Sequence, residues 1–271
     1  MPDIRIETVR TDSFSMDYFR FGKGKQTLVI LPGLSVQSVT GSAAAVVQAY
    51  KPLTDDFTVW LFDRRNELPA SYSVYDMARD TAEAFRVLGM EDICLFGASQ
   101  GGMMAMSIAA GAPGLVKKLV LASTSPRITE EQFRAVGEWT AKAGAGNRKE
   151  LYLAFGEAIY PKAIFEHSRD LLTAISETVT DEDLKRFVIL ADGLKGFDIT
   201  DSLEKITCQV LIVGSADDRV LGAEASSLIA EKLKNSRHCE LFMYDGCGHA
   251  VYDTAPDFKE RMLRFLLRSD H

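Results

Sequence analysis

The chain has 271 residues, with 31 lysines and arginines against 38 aspartates and glutamates, and therefore a formal net charge of −7. Apolar residues make up 46% and charged residues 25%, which is the composition of a globular protein and excludes an intrinsically disordered one. The negative charge argues against a nucleic-acid-binding protein, which needs a positive surface to displace phosphate counterions. The length predicts one large domain, or one domain with a modest insertion.

No segment contains the roughly 20 consecutive apolar residues that span a bilayer, so no membrane span is expected. Residues 1–5 (MPDIR) lack the basic stretch and apolar region that begin a secretory signal. The four cysteines (Cys94, Cys208, Cys239 and Cys247) show no C-x-x-C spacing, so neither a metal site nor a redox pair is expected. We therefore expect a cytoplasmic protein with reduced thiols and no cofactor.

The N-terminal part of the chain is typical of β-strands. Residues 4–9 and 14–21 predict two strands, and residues 22–25 (GKGK) predict a turn. Residues 27–31 (TLVIL) are a short apolar run without alternation, which favours a strand buried on both faces of a parallel sheet.

Similar apolar runs recur along the chain, and helical patterns separate most of them. The further predicted strands are residues 57–62, 93–96, 119–122, 210–213 and 240–244. The helical patterns cover residues 76–88, 103–110, 224–233 and 255–267. Alternating strands and helices predict an α/β fold, with a mostly parallel sheet flanked by helices and a ligand site at the carboxyl ends of the strands.

One long segment interrupts this alternation. Residues 127–200 contain only helical patterns, at residues 130–142, 149–158, 162–179 and 181–192. We predict that this segment is an all-helical cap over the strand ends, although helices packed on the far side of the sheet are the alternative. The core then consists of two parts, residues 1–126 and residues 201–271.

Residues 97–102 (GASQGG) match the pattern G-x-S-x-G, between a predicted strand and a predicted helix. Small residues two positions before and after Ser99 permit the sharp turn that exposes a nucleophilic serine. The alternative is an ordinary glycine-rich turn without a catalytic role. The backbone N–H of Gln100, directly after the serine, is a candidate donor to an oxyanion. The backbone N–H of Leu34, in the loop after residues 27–31, is the second candidate by position alone.

A serine nucleophile needs a base, and the chain has only four histidines. His271 is terminal, His167 lies in the helical segment, and His238 precedes the last predicted strand among polar residues. His249 lies in a glycine-rich loop after that strand, at the edge where a base is required. His249 is therefore the predicted base.

The base needs a carboxylate partner, and two adjacent candidates, Asp217 and Asp218, follow the strand at residues 210–213. Adjacent side chains point in different directions, so only one of them can face His249. The chain order serine, aspartate, histidine is the order known for strand–turn–helix hydrolases.

These motifs resemble the α/β-hydrolase fold serine hydrolases with a helical cap, and the resemblance covers nearly the whole chain. It implies that Asp217, three residues after the glycine ending its strand, is the triad acid, with Asp218 in reserve. It also implies the Leu34 oxyanion donor, although Pro32 replaces the histidine usual in that loop, which alters how the loop is supported. The altered Asp-x-Arg-Gly segment at residues 63–66 (DRRN) receives no catalytic role.

The resemblance implies acyl transfer from a small-molecule ester or lactone to water. A carbon–carbon bond hydrolase, an aminopeptidase-type enzyme, a hydroxynitrile-lyase-type enzyme and a non-catalytic ligand receptor are the alternatives, because unrelated functions share one fold. Members with an aspartate nucleophile are excluded by Ser99. Four aromatic residues of the predicted cap either line the acyl pocket or pack in the hydrophobic core: Phe155, Tyr160, Phe165 and Phe187.

Overall fold

The computed structural model describes residues 4–269. Residues 1–3 of the segment considered for a secretory signal, and His271, lie outside the described residues. Eight strands form one sheet: β1 (Ile6–Arg10), β2 (Ser15–Phe21), β3 (Gln26–Leu31), β4 (Phe57–Arg65), β5 (Ile93–Ala98), β6 (Val116–Ala122), β7 (Gln209–Ser215) and β8 (His238–Tyr244).

The strand order is β1-β2-β4-β3-β5-β6-β7-β8. Strands β3 to β8 run parallel to one another, whereas β2 pairs antiparallel with both β1 and β4. The prediction of an α/β fold with a mostly parallel sheet is confirmed. The predicted strands differ from the observed ones at their ends, and His238 begins β8 instead of preceding it.

The α-helices of the described residues are α1 (Ala43–Ala49), α2 (Val74–Val87), α3 (Gln100–Gly111), α4 (Glu130–Gly144), α5 (Arg148–Ile159), α6 (Lys162–Ser176), α7 (Asp181–Asp192), α8 (Glu224–Lys232), α9 (Val251–Thr254) and α10 (Phe258–Leu266). The prediction missed α1. It also joined α9 and α10 into one helix, but Pro256 lies between them and disfavours helical backbone at the preceding residue. No helix within residues 4–269 has the length and apolar character needed to cross a membrane.

Successive residues of the central strands point to opposite faces of the sheet, and each face has its own core. On β3, Val29 and Leu31 belong to the core that includes residues of α2, α3 and α8. Leu28 and Ile30 belong to the other core, which includes residues of α1 and α10. Burial on both faces explains why these strands are continuous apolar runs in the sequence.

Helices α4 to α7 lie between β6 and β7 in the chain, and we refer to these four helices as the helical insertion. An isolated antiparallel bridge joins Arg127 to Asp198 at its two ends. Capping boxes begin α4 at Thr129 and α7 at Thr180, so sequence-local hydrogen bonds fix where these helices start. Residues of the insertion belong to the same core as residues of α2 and α3.

Candidate active site

Ser99 occupies a strained turn between β5 and α3, with φ of 50° and ψ of −120°. Such a backbone conformation is costly for a residue other than glycine and persists only where the surroundings impose it. Gly97 and Gly101 flank the turn so closely that a Cβ added at Gly97 would lie 2.4 Å from the Gly101 carbonyl oxygen. The glycines are therefore required by close backbone approach, as the G-x-S-x-G pattern predicted.

His249 lies beside Ser99, with 3.0 Å between its Nε2 and the serine Oγ. The imidazole is buried, with 3% exposure, in the loop between β8 and α9. The other histidines within the described residues lie elsewhere: His167 is on α6, and His238 pairs with Glu240 on β8. The structure therefore brings together the serine and the histidine that the sequence selected.

The carboxylate beside His249 is that of Asp218, with 2.9 Å between His249 Nδ1 and Asp218 Oδ2. The assignment of Asp217 to this position, which followed from the family's spacing, does not agree with this geometry. Asp218 is buried, and its Oδ1 also accepts hydrogen bonds from the backbone N–H groups of Val220 and Leu221. The loop turns at this point, so the carboxylate that faces the imidazole is the second of the two.

Asp217 is exposed and supports the loop that carries His249. Its carboxylate accepts hydrogen bonds from Ser215 Oγ at 2.6 Å and from the backbone N–H groups of Cys247 and Gly248. Partial burial raises the pKa of Asp217, but these hydrogen bonds to Ser215 and Gly248 outweigh it and lower the pKa below its usual range. Asp217 thus ties the end of β7 to the histidine loop as an anion.

Asp218 is also held ionised. Burial alone raises the pKa of this carboxyl, but the electrostatic interaction and hydrogen bond with His249, together with the two backbone donors, lower it below its ordinary value. An ionised Asp218 can hold the imidazole with its proton on Nδ1, an arrangement in which Nε2 is able to accept a proton from Ser99.

The two candidate oxyanion donors lie on elements that meet at Ser99. Gln100 is the first residue of α3, and Leu34 lies in the loop after β3. A Cβ built on Gly33 would lie 3.2 Å from Ser99 Cβ, so this loop passes directly against the serine. Both Leu34 and Gln100 line the same cavity as Ser99 and His249.

This cavity is small and mainly apolar, with a volume of about 40 Å³. Its core side carries Ser99, Gln100 and His249, and the insertion side carries Gln132, Val136, Trp139, Phe155 and Ile159. Among the described residues that line it there is no aspartate, glutamate, lysine or arginine. Of the four aromatic candidates, Phe155 lines the cavity, Phe165 and Phe187 are buried elsewhere, and Tyr160 is half-buried and does not line it.

Arg64 belongs to the segment at residues 63–66 that receives no catalytic role from the motifs, yet the structure places it next to the loop after β3. Its Nη2 donates to the Pro32 carbonyl oxygen at 2.9 Å and to Gln100 Oε1 at 3.0 Å. Asp63 forms an ion pair with Arg186 of α7. The replacement of the usual loop histidine by Pro32 was the one indication that this loop is supported differently.

Among residues 4–269, no group of three or more histidine, cysteine, aspartate or glutamate side chains is arranged to hold a metal ion.

Comparisons with known proteins agree with this fold. Residues 28–258 match the Alpha/beta hydrolase family. The chain is 29% identical over 256 residues to a protein of Agrobacterium fabrum named as a carbamate hydrolase, RutD, covering 90% of this chain and 94% of that one. It is 28% identical over 249 residues to a protein of Stutzerimonas stutzeri with the same name, covering 85% and 88%.

Solved structures share the fold. An alpha/beta hydrolase enzyme, MGS-M2, from a Medee basin deep-sea metagenome library superposes with a TM-score of 0.86 at 21% identity, covering 98% of each chain. The enol-lactonase of Burkholderia xenovorans gives 0.81 at 17% identity, covering 97% of this chain and 100% of that one. With the family match over most of its length, the chain belongs to the alpha/beta hydrolase family and is an enzyme of that family.

Proposed function

We propose that the protein is a serine hydrolase that cleaves a small-molecule ester or lactone through an acyl-enzyme. The observation that carries this proposal is the continuous hydrogen-bonded chain from Ser99 through His249 to Asp218, opening on a cavity. A hydroxyl becomes an effective nucleophile only when an oriented base takes its proton, and this chain supplies both the base and its orientation.

In the proposed reaction, Ser99 Oγ attacks the carbonyl carbon of the substrate while His249 Nε2 takes the hydroxyl proton. The N–H groups of Leu34 and Gln100 donate to the oxyanion of the tetrahedral intermediate. Collapse of this intermediate breaks the bond to the leaving oxygen, which receives the proton from His249. Water then attacks the acyl-enzyme, with His249 again as base, and releases the acid and free Ser99.

The cavity favours small, neutral substrates. Its free volume of about 40 Å³ is small, so a short acyl group fits beside Ser99 more easily than a long one. Because no carboxylate, ammonium or guanidinium lines the cavity within the described residues, a charged substrate would lose its hydration without gaining an ion pair. The apolar lining therefore favours an ester or lactone over an anionic carbamate.

The helical insertion acts as the cap in this proposal, with residues 127–200 forming the cap and the remainder forming the core. Four of the apolar residues that line the cavity opposite the triad come from α4 and α5: Val136, Trp139, Phe155 and Ile159. The insertion therefore supplies the shape of the acyl pocket, while the core supplies the reactive groups.

The proposal is tested with p-nitrophenyl acetate and a fluorophosphonate probe, using wild type, Ser99→Ala and a matched serine variant, Ser123→Ala. Ser123 is also buried with positive φ, and its Oγ has no hydrogen-bond partner within the described residues, so its removal costs little. We expect turnover and labelling in wild type and Ser123→Ala, and loss of both in Ser99→Ala. Wild type without turnover or labelling, or an active Ser99→Ala, would contradict the proposal.

A hydroxynitrile-lyase-type or carbon–carbon-cleaving enzyme gives a different result in the same assay. Lyase chemistry uses the triad as acid and base without an acyl-enzyme, so a burst of p-nitrophenol followed by slower turnover distinguishes the serine esterase from it.

A further inference from the structure

Arg64 is a buried cation at the end of β4, with 3% of its surface exposed. Its Nη2 donates to two acceptors that belong to different elements. One acceptor is the Pro32 carbonyl oxygen, in the loop that carries Leu34, and the other is the side-chain oxygen of Gln100, the first residue of α3. These are the two elements that bear the proposed oxyanion donors.

We propose that Arg64 is a positioning residue of the oxyanion hole, which fixes the separation of the Leu34 and Gln100 N–H groups through its bonds to Pro32 and Gln100. This inference rests on the proposed function. An oxyanion hole stabilises the transition state only if its donors are already in place, because reorganisation during the reaction would cost the same free energy that the hydrogen bonds return. A single guanidinium bonded to both elements meets that requirement.

Close packing and the Arg64 hydrogen bonds act on the same part of the loop. A Cβ built on Gly101 would lie 2.1 Å from the Leu31 carbonyl oxygen and 2.6 Å from the Pro32 carbonyl oxygen, so α3 is in backbone contact with the end of β3 and with Pro32. The next residue, Gly33, has more backbone freedom than a residue with a side chain. The hydrogen bond from Arg64 to the Pro32 carbonyl oxygen adds a directional restraint at this contact, directly before the glycine.

The Arg64 contacts continue into the helical insertion. Gln100 accepts from Arg64 and donates from its Nε2 to the Leu190 carbonyl oxygen of α7 at 2.7 Å, so both ends of its amide are used. Asp63 accepts from the backbone N–H of Arg64 and pairs with Arg186, also on α7. The support of the oxyanion hole therefore includes one helix of the insertion.

The charges around Arg64 are consistent with a permanent cation at this place. Burial lowers the pKa of Arg64 and the nearby Arg186 lowers it further, whereas Asp63 and Tyr72 raise it, with a resulting pKa of about 10. The group therefore stays protonated at neutral pH. Its planar, forked donor set can serve two acceptors in fixed directions, which a lysine ammonium on a flexible stem does not reproduce.

The test compares Arg64→Met with Arg65→Met. Arg65 is the next residue on β4, and its guanidinium contacts Asp80 and the Glu67 carbonyl oxygen rather than the loop after β3. Two inhibitors separate the tetrahedral state from simple occupancy: 1,1,1-trifluoro-2-butanone, which adds to the serine and forms an oxyanion, and 2-butanone, which only fills the pocket. For Arg64→Met we expect kcat with p-nitrophenyl acetate to fall about tenfold to a hundredfold.

For the same variant we expect the inhibition constant of the trifluoroketone to rise by the same factor. The inhibition constant of 2-butanone and the KM should stay within about threefold of the wild-type values. Arg65→Met should match wild type in all of these measurements. Equal changes for both ketones, or no change for the trifluoroketone, would overturn the inference. If Arg64→Met does not fold, Arg64→Lys and Gln100→Met supply the same comparison, with the pattern expected in weaker form in Arg64→Lys. A wild-type protein that neither binds the trifluoroketone nor reacts with fluorophosphonate instead contradicts the proposed function.

Discussion

Two helical glycines show how differently the core and the insertion are built. Gly101, in the first turn of α3, has no room for a methyl group, because a Cβ would lie 2.1 Å from the Leu31 carbonyl oxygen. Gly137, in α4 of the insertion, has nothing within 4 Å of the corresponding position. The backbone at Gly101 is fixed by contact, whereas the backbone of α4 at Gly137 faces open space.

The same contrast holds for whole helices. Nearly all residues of α3 are buried, whereas α6 of the insertion buries only Phe165 and Ser176 and leaves Leu171 63% exposed. Close packing around Ser99 holds reacting groups within the narrow limits that catalysis needs. The cavity-lining helices α4 and α5 of the insertion bury fewer of their residues than α3, so we expect substitutions on these two helices to change specificity more than chemistry.

The largest expected effect is at the acid of the proposed triad, on the core side. Asp218→Asn keeps the shape of the side chain but favours the wrong tautomer of His249, so kcat is expected to fall by roughly 10³–10⁴-fold. Asp217→Asn is the matched control, and a loss of less than about tenfold is expected because its bonds are to the loop backbone. Steady-state hydrolysis of p-nitrophenyl acetate measures both, and a larger loss in Asp217→Asn would reverse our assignment.

The second prediction concerns the glycines themselves. Gly101→Ala forces β3 and α3 apart and is expected to destabilise the protein by about 3 kcal/mol. Gly137→Ala adds a better helix former in open space and is expected to stabilise it by about 0.5–1 kcal/mol. Urea unfolding followed by circular dichroism gives both values. Equal changes of the same sign would show that the two regions are packed alike.

The third prediction changes the pocket from the insertion side. Trp139→Leu removes part of the cavity wall, so kcat/KM for p-nitrophenyl butyrate relative to the acetate is expected to rise roughly tenfold. Phe133→Leu, on the same helix α4 but outside the cavity lining, is the control and should keep the wild-type ratio. An unchanged ratio in Trp139→Leu would mean that the acyl group lies elsewhere.

The smallest expected effect is the acid dependence of stability. The pKa of Asp217 is lower in the folded state than its usual value, so its contribution to stability is present above about pH 4 and lost as the pH falls through the folded-state pKa. Asp217→Asn should therefore unfold at a lower temperature than wild type at pH 7, with the difference shrinking below pH 4. Thermal unfolding at several pH values tests this, and a constant difference down to pH 2 would contradict it.

Much of the site could be predicted because its identity depends on local sequence. The elbow at residues 97–102 requires small residues at fixed spacing, and those residues are visible in the sequence. The position of His249 follows from its place after a strand, since parallel strands end at one edge. Arg64 could not be predicted, because its partners Pro32 and Gln100 lie 32 and 36 residues away and nothing in the sequence pairs them.

The sequence by itself determined the alternation of strands and helices and selected the serine and the histidine of the proposed triad, because hydrophobic period and glycine spacing act over a few residues. The choice between Asp217 and Asp218 belonged to the tertiary structure. Both carboxylates lie in the same turn after β7, and their contacts with the loop at residues 245–250 distinguish them. The backbone N–H of Cys247 in that loop donates to Asp217, whereas the imidazole of His249 pairs with Asp218.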